Sequence, residues 1–222
     1  MNHRSTRKAV ETETRNLDIA KTYLRAKQVV IREGFANEIQ WQENLRFKNV
    51  NERDFLREAT WVVLSCGMRE TVVRKKFPEI SKAFYNLKTA ENIVYHAPEC
   101  RRRALRVFNH RGKINAIITI ARAICSNGFT DFVGSIRGQG IDFIRQLPYM
   151  GPATSFHLAK NIGLDVVKPD RHLCRVALAA GYDTPQELCQ DISLSVGDSL
   201  AVVDIVLWRF ATLKRNYIEY FH

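Results

Sequence analysis

One carboxylate in this chain stands in a setting suited to chemistry. Asp170 follows Lys168-Pro169 and precedes Arg171-His172-Leu173-Cys174-Arg175. A carboxylate fixed in a short loop stabilises positive charge developing on a bound molecule and can orient an attacking water. Asp170 is equally suited to cap a helix over 171–180, a role worth about 1 kcal/mol, and the two roles are compatible. Upstream stands Leu147-Pro148-Tyr149-Met150-Gly151-Pro152-Ala153-Thr154. Pro152 sits where a helix should begin, because the N–H that proline lacks is not needed at that position. Backbone N–H groups at such a helix start hold phosphate, whatever the side chains are. The candidate phosphate-backbone contacts are the residues of this turn and helix start: Pro148, which has no N–H to give, and Tyr149, Met150, Gly151, Ala153 and Thr154. Arg171, His172 and Arg175, around Asp170, join them; for these three the plainer reading is a solvated surface.

These groups need helices to position them, and helix signals dominate. The periodicity predicts a helix over 17–32, with Leu17, Ala20, Leu24, Ala26 and Val30 near helical spacing. Asn51, with Asp54 three residues on, caps a second helix that carries the apolar run 55–64. Gly67-Met68-Arg69-Glu70 interrupts, and the next helix is expected to stop before Pro78. Helical stretches follow over 80–87, 90–97, 100–109 and 113–126, with Gly112 and Gly128 as breaks. Two short amphipathic helices then flank the turn at 147–151, a helix-hairpin-helix, and Gly163 ends the second. Only 29–31 and 61–64 are apolar enough to pass for strands, and both lie inside a helical period. The fold class is all-α.

Charge points to the partner. The chain carries 34 basic and 23 acidic side chains, a net +11; residues 1–113 hold 24 basic and 13 acidic, while 114–222 hold 10 of each. Arg74-Lys75-Lys76 and Arg101-Arg102-Arg103 concentrate it further. Such a field attracts polyanions, nucleic acid first and anionic membrane second, unless the charges are merely solvated helix faces. At about 150 residues per domain, a length of 222 residues allows one domain or two small ones. No apolar run approaches the ~20 residues that cross a bilayer. The basic N-terminus has no apolar stretch behind it, so a secretory signal is not expected. Cys66, Cys100, Cys125, Cys174 and Cys189 are scattered and odd in number, which suits reduced thiols inside a cell. Neither they nor the histidines show zinc or iron–sulphur spacing, so no cofactor is expected, with a monovalent cation at the hairpin the one exception left open.

The hairpin followed by a Pro-Asp loop resembles the helix-hairpin-helix (HhH-GPD) DNA glycosylase superfamily. The resemblance covers about 50–180 in helix order and is sharpest over 145–176. A second, local likeness lies in Asn109-His110-Arg111-Gly112-Lys113-Ile114, which is similar to the RHRGKI-like stretch of type I 3-methyladenine DNA glycosylases. The departures are informative. Tyr149 stands where the superfamily's LPGxG pattern has its first glycine. Ala153 stands where bifunctional glycosylase/lyases carry lysine. The zinc-ligand spacing of the type I enzymes is missing, and Trp61-Val62 occupies the place of their pocket glutamate. Conversely, Asp170 is a residue those enzymes lack.

The resemblance implies a monofunctional DNA N-glycosylase in an all-α, two-lobed fold. A helical barrel over 53–165 would carry the hairpin. Residues 1–52 with 166–222 would form the second lobe, with the Asp170 loop and the aromatic tail Trp208, Phe210, Tyr217, Tyr220 and Phe221. Asp170 would be the catalytic residue. Trp41, Trp61 and Tyr149 would stack on the extruded base, although aromatics at helical spacing more often belong to a core. Met68 or Arg69, with Glu70 beside them, would fill the gap the base leaves. The implied partner is double-stranded DNA with a modified base, bound by a monomer, cytoplasmic or at the nucleoid, without a membrane. Alkylated purine is the default substrate; another modified base, including the decorated bases of foreign DNA, is the alternative. A non-catalytic hairpin module that only binds DNA is the rival from a different class.

Overall fold

The computed structural model describes residues 3–221, with side chains from Leu17 onward. All regular structure among them is helical, so the segments 29–31 and 61–64 are helix, as their period requires. In chain order the helices are α1 (His3–Val30), α2 (Ala36–Asn44), α3 (Glu52–Ser65), α4 (Glu70–Ala83), α5 (Ala90–Tyr95), α6 (Ala97–Val107), α7 (Arg111–Asn127), α8 (Phe129–Gln139), α9 (Ile141–Arg145), α10 (Pro152–Asn161), α11 (Arg171–Ala179), α12 (Pro185–Val196) and α13 (Leu200–Leu213). The chain divides into two compact units: a central one, Arg46–Leu164, and a terminal one, Met1–Leu45 with Asp165–His222.

In the central unit, α7 is the core helix. Its Ile114, Ile117, Ile118, Ala121 and Ile124 are buried among α3, α5, α6 and α8. Asn51 caps α3 reciprocally: Asp54 N–H donates to Asn51 Oδ1 (2.9 Å) and Asn51 Nδ2 donates to Asp54 Oδ2 (2.7 Å). Of two expected breaks, the one at Pro78 is absent and the one at Gly112 falls at 108–110 instead. The helix α4 runs through Pro78, because the ring sits on an exposed face while buried Phe77 and Ile80 hold both flanks. Gly112 lies within the first turn of α7, whose cap is His110: its Nδ1 accepts from Lys113 N–H (3.3 Å). Residues 46–49 join this unit through Phe47 N–H, which donates to Gly163 O (3.2 Å). Gly163 has φ +91°, and a Cβ there would stand 2.6 Å from Phe47 N, so only glycine fits the close approach.

In the terminal unit, α1 packs on α12 and α13, and α2 on α13. Tyr23, Leu173, Val176, Leu188, Val203 and Phe210 are buried at its centre. Of the aromatic tail, Phe210, Tyr217 and Phe221 are buried, Trp208 packs at the margin, and Tyr220 is exposed. The chain turns between α1 and α2 at Gly34 (φ +90°). Beyond this bend Arg209 donates to both oxygens of Glu38 (2.6 and 2.9 Å), its guanidinium lying over Phe35 and Trp208.

Candidate functional site: a hairpin turn and a braced carboxylate

The hairpin belongs to the central unit. Leu147 and Met150 are buried and anchor the turn from below, while Gly151 and Pro152 are exposed. Met150 therefore does not serve as a phosphate contact: its side chain is core and its N–H donates to Leu147 O (3.2 Å). The first intrahelical bond of α10 runs from Ser155 N–H to Gly151 O (3.0 Å), so the amides of Ala153 and Thr154 precede the ladder. Gly151 is extended (φ −75°), with only Thr154 Oγ1 near a Cβ at 3.8 Å. The backbone strain falls instead on Tyr149, at φ +66°. A non-glycine residue there costs about 1–3 kcal/mol. Three contacts hold it: Thr154 Oγ1 donates to Tyr149 O (2.7 Å), His110 meets the ring edge-on, and Lys113 Nζ lies 5.9 Å from the ring centroid. The Tyr149 hydroxyl presses on the Cα of Gly112, where any Cβ would collide with it. The two stretches that carry the sequence resemblances thus meet in one contact.

The Gly67 turn joins the same unit. Gly67 (φ +67°), Met68 and Arg69 are exposed at its tip, and Met68 N–H donates to Ser65 O (3.0 Å). Glu70 begins α4 and pairs with Arg74. Trp61 is half-buried: Phe77 meets its ring edge-on at 5.4 Å and Arg74 lies 5.6 Å from its centroid. Midway along α3, Glu58 is only 18% exposed and accepts from Asn161 Nδ2 of α10 (2.8 Å). Burial raises its pKa above the usual carboxylate range, against the lowering effect of Asn161.

Asp170 belongs to the terminal unit. Its Oδ1 accepts from His172 N–H (2.8 Å) and Leu173 N–H (3.1 Å), capping α11. Its Oδ2 makes only an ion pair with Lys168 Nζ, at 3.8 Å. The preceding loop is braced on α13 at two points. Asp165 Oδ1 accepts from Ala201 N–H (2.9 Å), and buried Asp204 accepts from Lys168 N–H through Oδ2 (2.6 Å). His172 Nδ1 lies 3.1 Å from the Tyr217 hydroxyl, and burial holds this imidazole below its ordinary pKa despite Asp170 nearby. Burial thus favours the neutral form of the ring. Arg171 and Arg175 are exposed, as is Trp41 on α2, 42% accessible.

Charge divides by unit. The central unit holds 20 basic and 9 acidic side chains, so the whole net +11 lies there; the terminal unit holds 14 of each. Within the basic clusters some cations have structural partners: Lys76 donates to Val107 O (2.8 Å), Arg101 to Asn115 Oδ1 (2.8 Å) and Arg103 to Lys82 O (3.3 Å). Lys75 and Arg102 are exposed.

Sequence reasoning missed Lys113, Asp204 and Glu58. A signal existed for one: Asp204 is the only acid in the otherwise apolar stretch of α13. Among the described residues no three His, Cys, Asp or Glu side chains converge as metal ligands, and no single helix is long and apolar enough to cross a membrane. Comparison with protein-family models, curated proteins and solved structures finds no match to this chain.

Proposed function

We propose that this protein is a monofunctional DNA N-glycosylase of the helix-hairpin-helix type, with two helical lobes. The observation that carries the proposal is the division of labour within Asp170. One oxygen is committed to the α11 cap and fixes the carboxylate in place, while the other makes no hydrogen bond. A cap alone needs a single acceptor, whereas a second oxygen, rigidly held, is available to a cation developing on a bound molecule.

In this reading the amides opening α10 hold a DNA phosphate, and the basic central unit supplies the long-range attraction. The target nucleotide leaves the stack, since its glycosidic bond is unreachable inside a duplex. Met68 or Arg69 enters the gap. As the C1′–N bond lengthens, positive charge spreads over C1′ and the ring oxygen, as in other glycosyl transfers. Asp170 Oδ2 stabilises that charge, and water adds at C1′ to leave an abasic site. Ala153, in place of the lyase lysine, supports hydrolysis rather than Schiff-base chemistry.

Alkylated purine is the default substrate, because a cationic base is already a good leaving group. Asp170 favours a second reading, a neutral modified base such as a decorated base of foreign DNA, whose departure needs more carboxylate help. The test is the state of the product. Duplex treated with the protein should carry intact abasic sites that break only in hot alkali. A covalent protein–DNA adduct trapped by borohydride would refute the monofunctional reading and direct attention to Lys160 or Lys168.

A further inference from the structure

Lys113 is a lysine with 2% exposure in a chain whose other cations mostly reach solvent. Burying an ammonium is costly unless it is well paired. No carboxylate lies within ion-pair distance of it among the described residues. Its Nζ instead donates to Leu64 O (2.6 Å) and to Cys66 O, two carbonyls at the C-terminal end of α3. The same Nζ lies 5.9 Å from the ring centroid of Tyr149, the hairpin residue in the left-handed conformation. Helix ends are satisfied more cheaply by water or by a following glycine, and the adjacent turn, with Gly67 at φ +67°, is exposed and offers both. A cap alone therefore does not account for a buried ammonium at this point.

The contacts run without a gap. Tyr149 is strained, is held to α10 by Thr154, and has its hydroxyl seated on Gly112. Gly112 adjoins Lys113, and Lys113 grips the carbonyls on either side of Ser65, whose own carbonyl accepts from Met68 N–H. Two costly features, a tyrosine at positive φ and a buried ammonium paired with carbonyls but with no counter-charge, thus stand in contact along a path that joins the hairpin to the Gly67 turn. We infer that Lys113 is a positioning residue that couples the hairpin to the 66–69 turn, so that seating the hairpin on a phosphate backbone sets the turn that enters the duplex. The inference rests on the glycosylase reading for what the turn does, but the coupling belongs to the free protein.

Two variants test it. Lys113→Met keeps the aliphatic stem and removes the ammonium. Tyr149→Gly removes the ring while suiting the left-handed backbone, so the hairpin retains its path. Hydrogen exchange of the free protein is read at the amides of 66–70. Both variants should exchange roughly tenfold faster there, with the rest of the central unit unchanged. Each is then mixed with a duplex carrying 2-aminopurine beside an abasic-site analogue. Affinity should stay within about twofold for Lys113→Met, because the buried ammonium touches no phosphate, while the fluorescence rise that reports extrusion falls roughly tenfold. Unchanged exchange at 66–70 in Tyr149→Gly would overturn the coupling even if Lys113→Met failed to fold. So would affinity and extrusion falling in proportion in Lys113→Met. A wild-type protein that extrudes no base from any duplex would sink the glycosylase reading instead, and the exchange measurement would still judge Lys113.

Discussion

Substituting Asp170 separates its two duties, because they use different oxygens. Asp170→Ala removes the acceptor of both His172 N–H and Leu173 N–H. It should cost about 1 kcal/mol, which for a protein of this size lowers Tm by roughly 2–4 °C. Asp170→Asn keeps an oxygen in the capping position, and asparagine caps as well as aspartate, so its Tm should stay within about 1 °C of wild type. The amide carries no charge, however. Loss of one preorganised charge-stabilising group slows a reaction by about 10²-fold or more, near 3 kcal/mol of transition-state stabilisation. The assay is single-turnover release of base from a modified duplex, alongside thermal unfolding and duplex affinity. Asn should lose excision alone; Ala should lose excision and stability together. If Asp170→Asn excised at a rate close to wild type, with its Tm preserved, the carboxylate would be a cap and nothing more.

Other expectations follow from the same contacts. Gly151→Ala meets no obstacle in the fold, so Tm should hold while duplex affinity drops roughly tenfold through crowding of a phosphate at the α10 amides, with an unchanged salt slope; unchanged affinity would remove the hairpin from the DNA path. Replacing the exposed pair Lys75 and Arg102 by glutamine should leave stability intact and flatten the plot of log affinity against log salt by about one unit for each charge that contacts phosphate; an unaltered slope would mark both as solvated faces. His172 has a depressed folded-state pKa, so its contribution is present above about pH 6.5 and is lost as pH falls through the folded value. Wild type should therefore lose stability below about pH 6.5 more steeply than His172→Gln, and superimposable pH profiles would contradict the burial of a neutral imidazole against Tyr217.

What the sequence made legible was local. Asn51 with Asp54 and Asp170 before α11 each announce a helix end through a bond spanning two or three residues, Pro152 announces one through the N–H it lacks, and the structure has all three helix starts. Pro78 misled as a break because a local rule yields to packing: buried Phe77 and Ile80 carry α4 through the proline, while the break near Gly112 falls at 108–110 and Gly112 itself lies against the hydroxyl of Tyr149, far along the chain. The same distance hid the rest of the site. Lys113 finds its carbonyls 49 and 47 residues away, and Asp204 reaches Lys168 across 36. Met150 looked like a turn residue, yet it is core, since a hairpin this tight must bury one face. That Tyr149 keeps the left-handed turn of a glycine position is visible only once Thr154, His110 and Lys113 stand around it.

The central claim, that this chain cuts an N-glycosidic bond, is tested most directly by chemistry on the released product. The purified protein is incubated with a panel of duplexes carrying alkylated, oxidised, deaminated and decorated bases, and the supernatant is examined for free bases by mass spectrometry, with Asp170→Asn as the control. The account predicts a free modified base from at least one duplex, an equal number of abasic sites in the DNA, and neither from the control. Tight binding to these duplexes with no base released from any of them would contradict it and leave a hairpin module that holds DNA without acting on it.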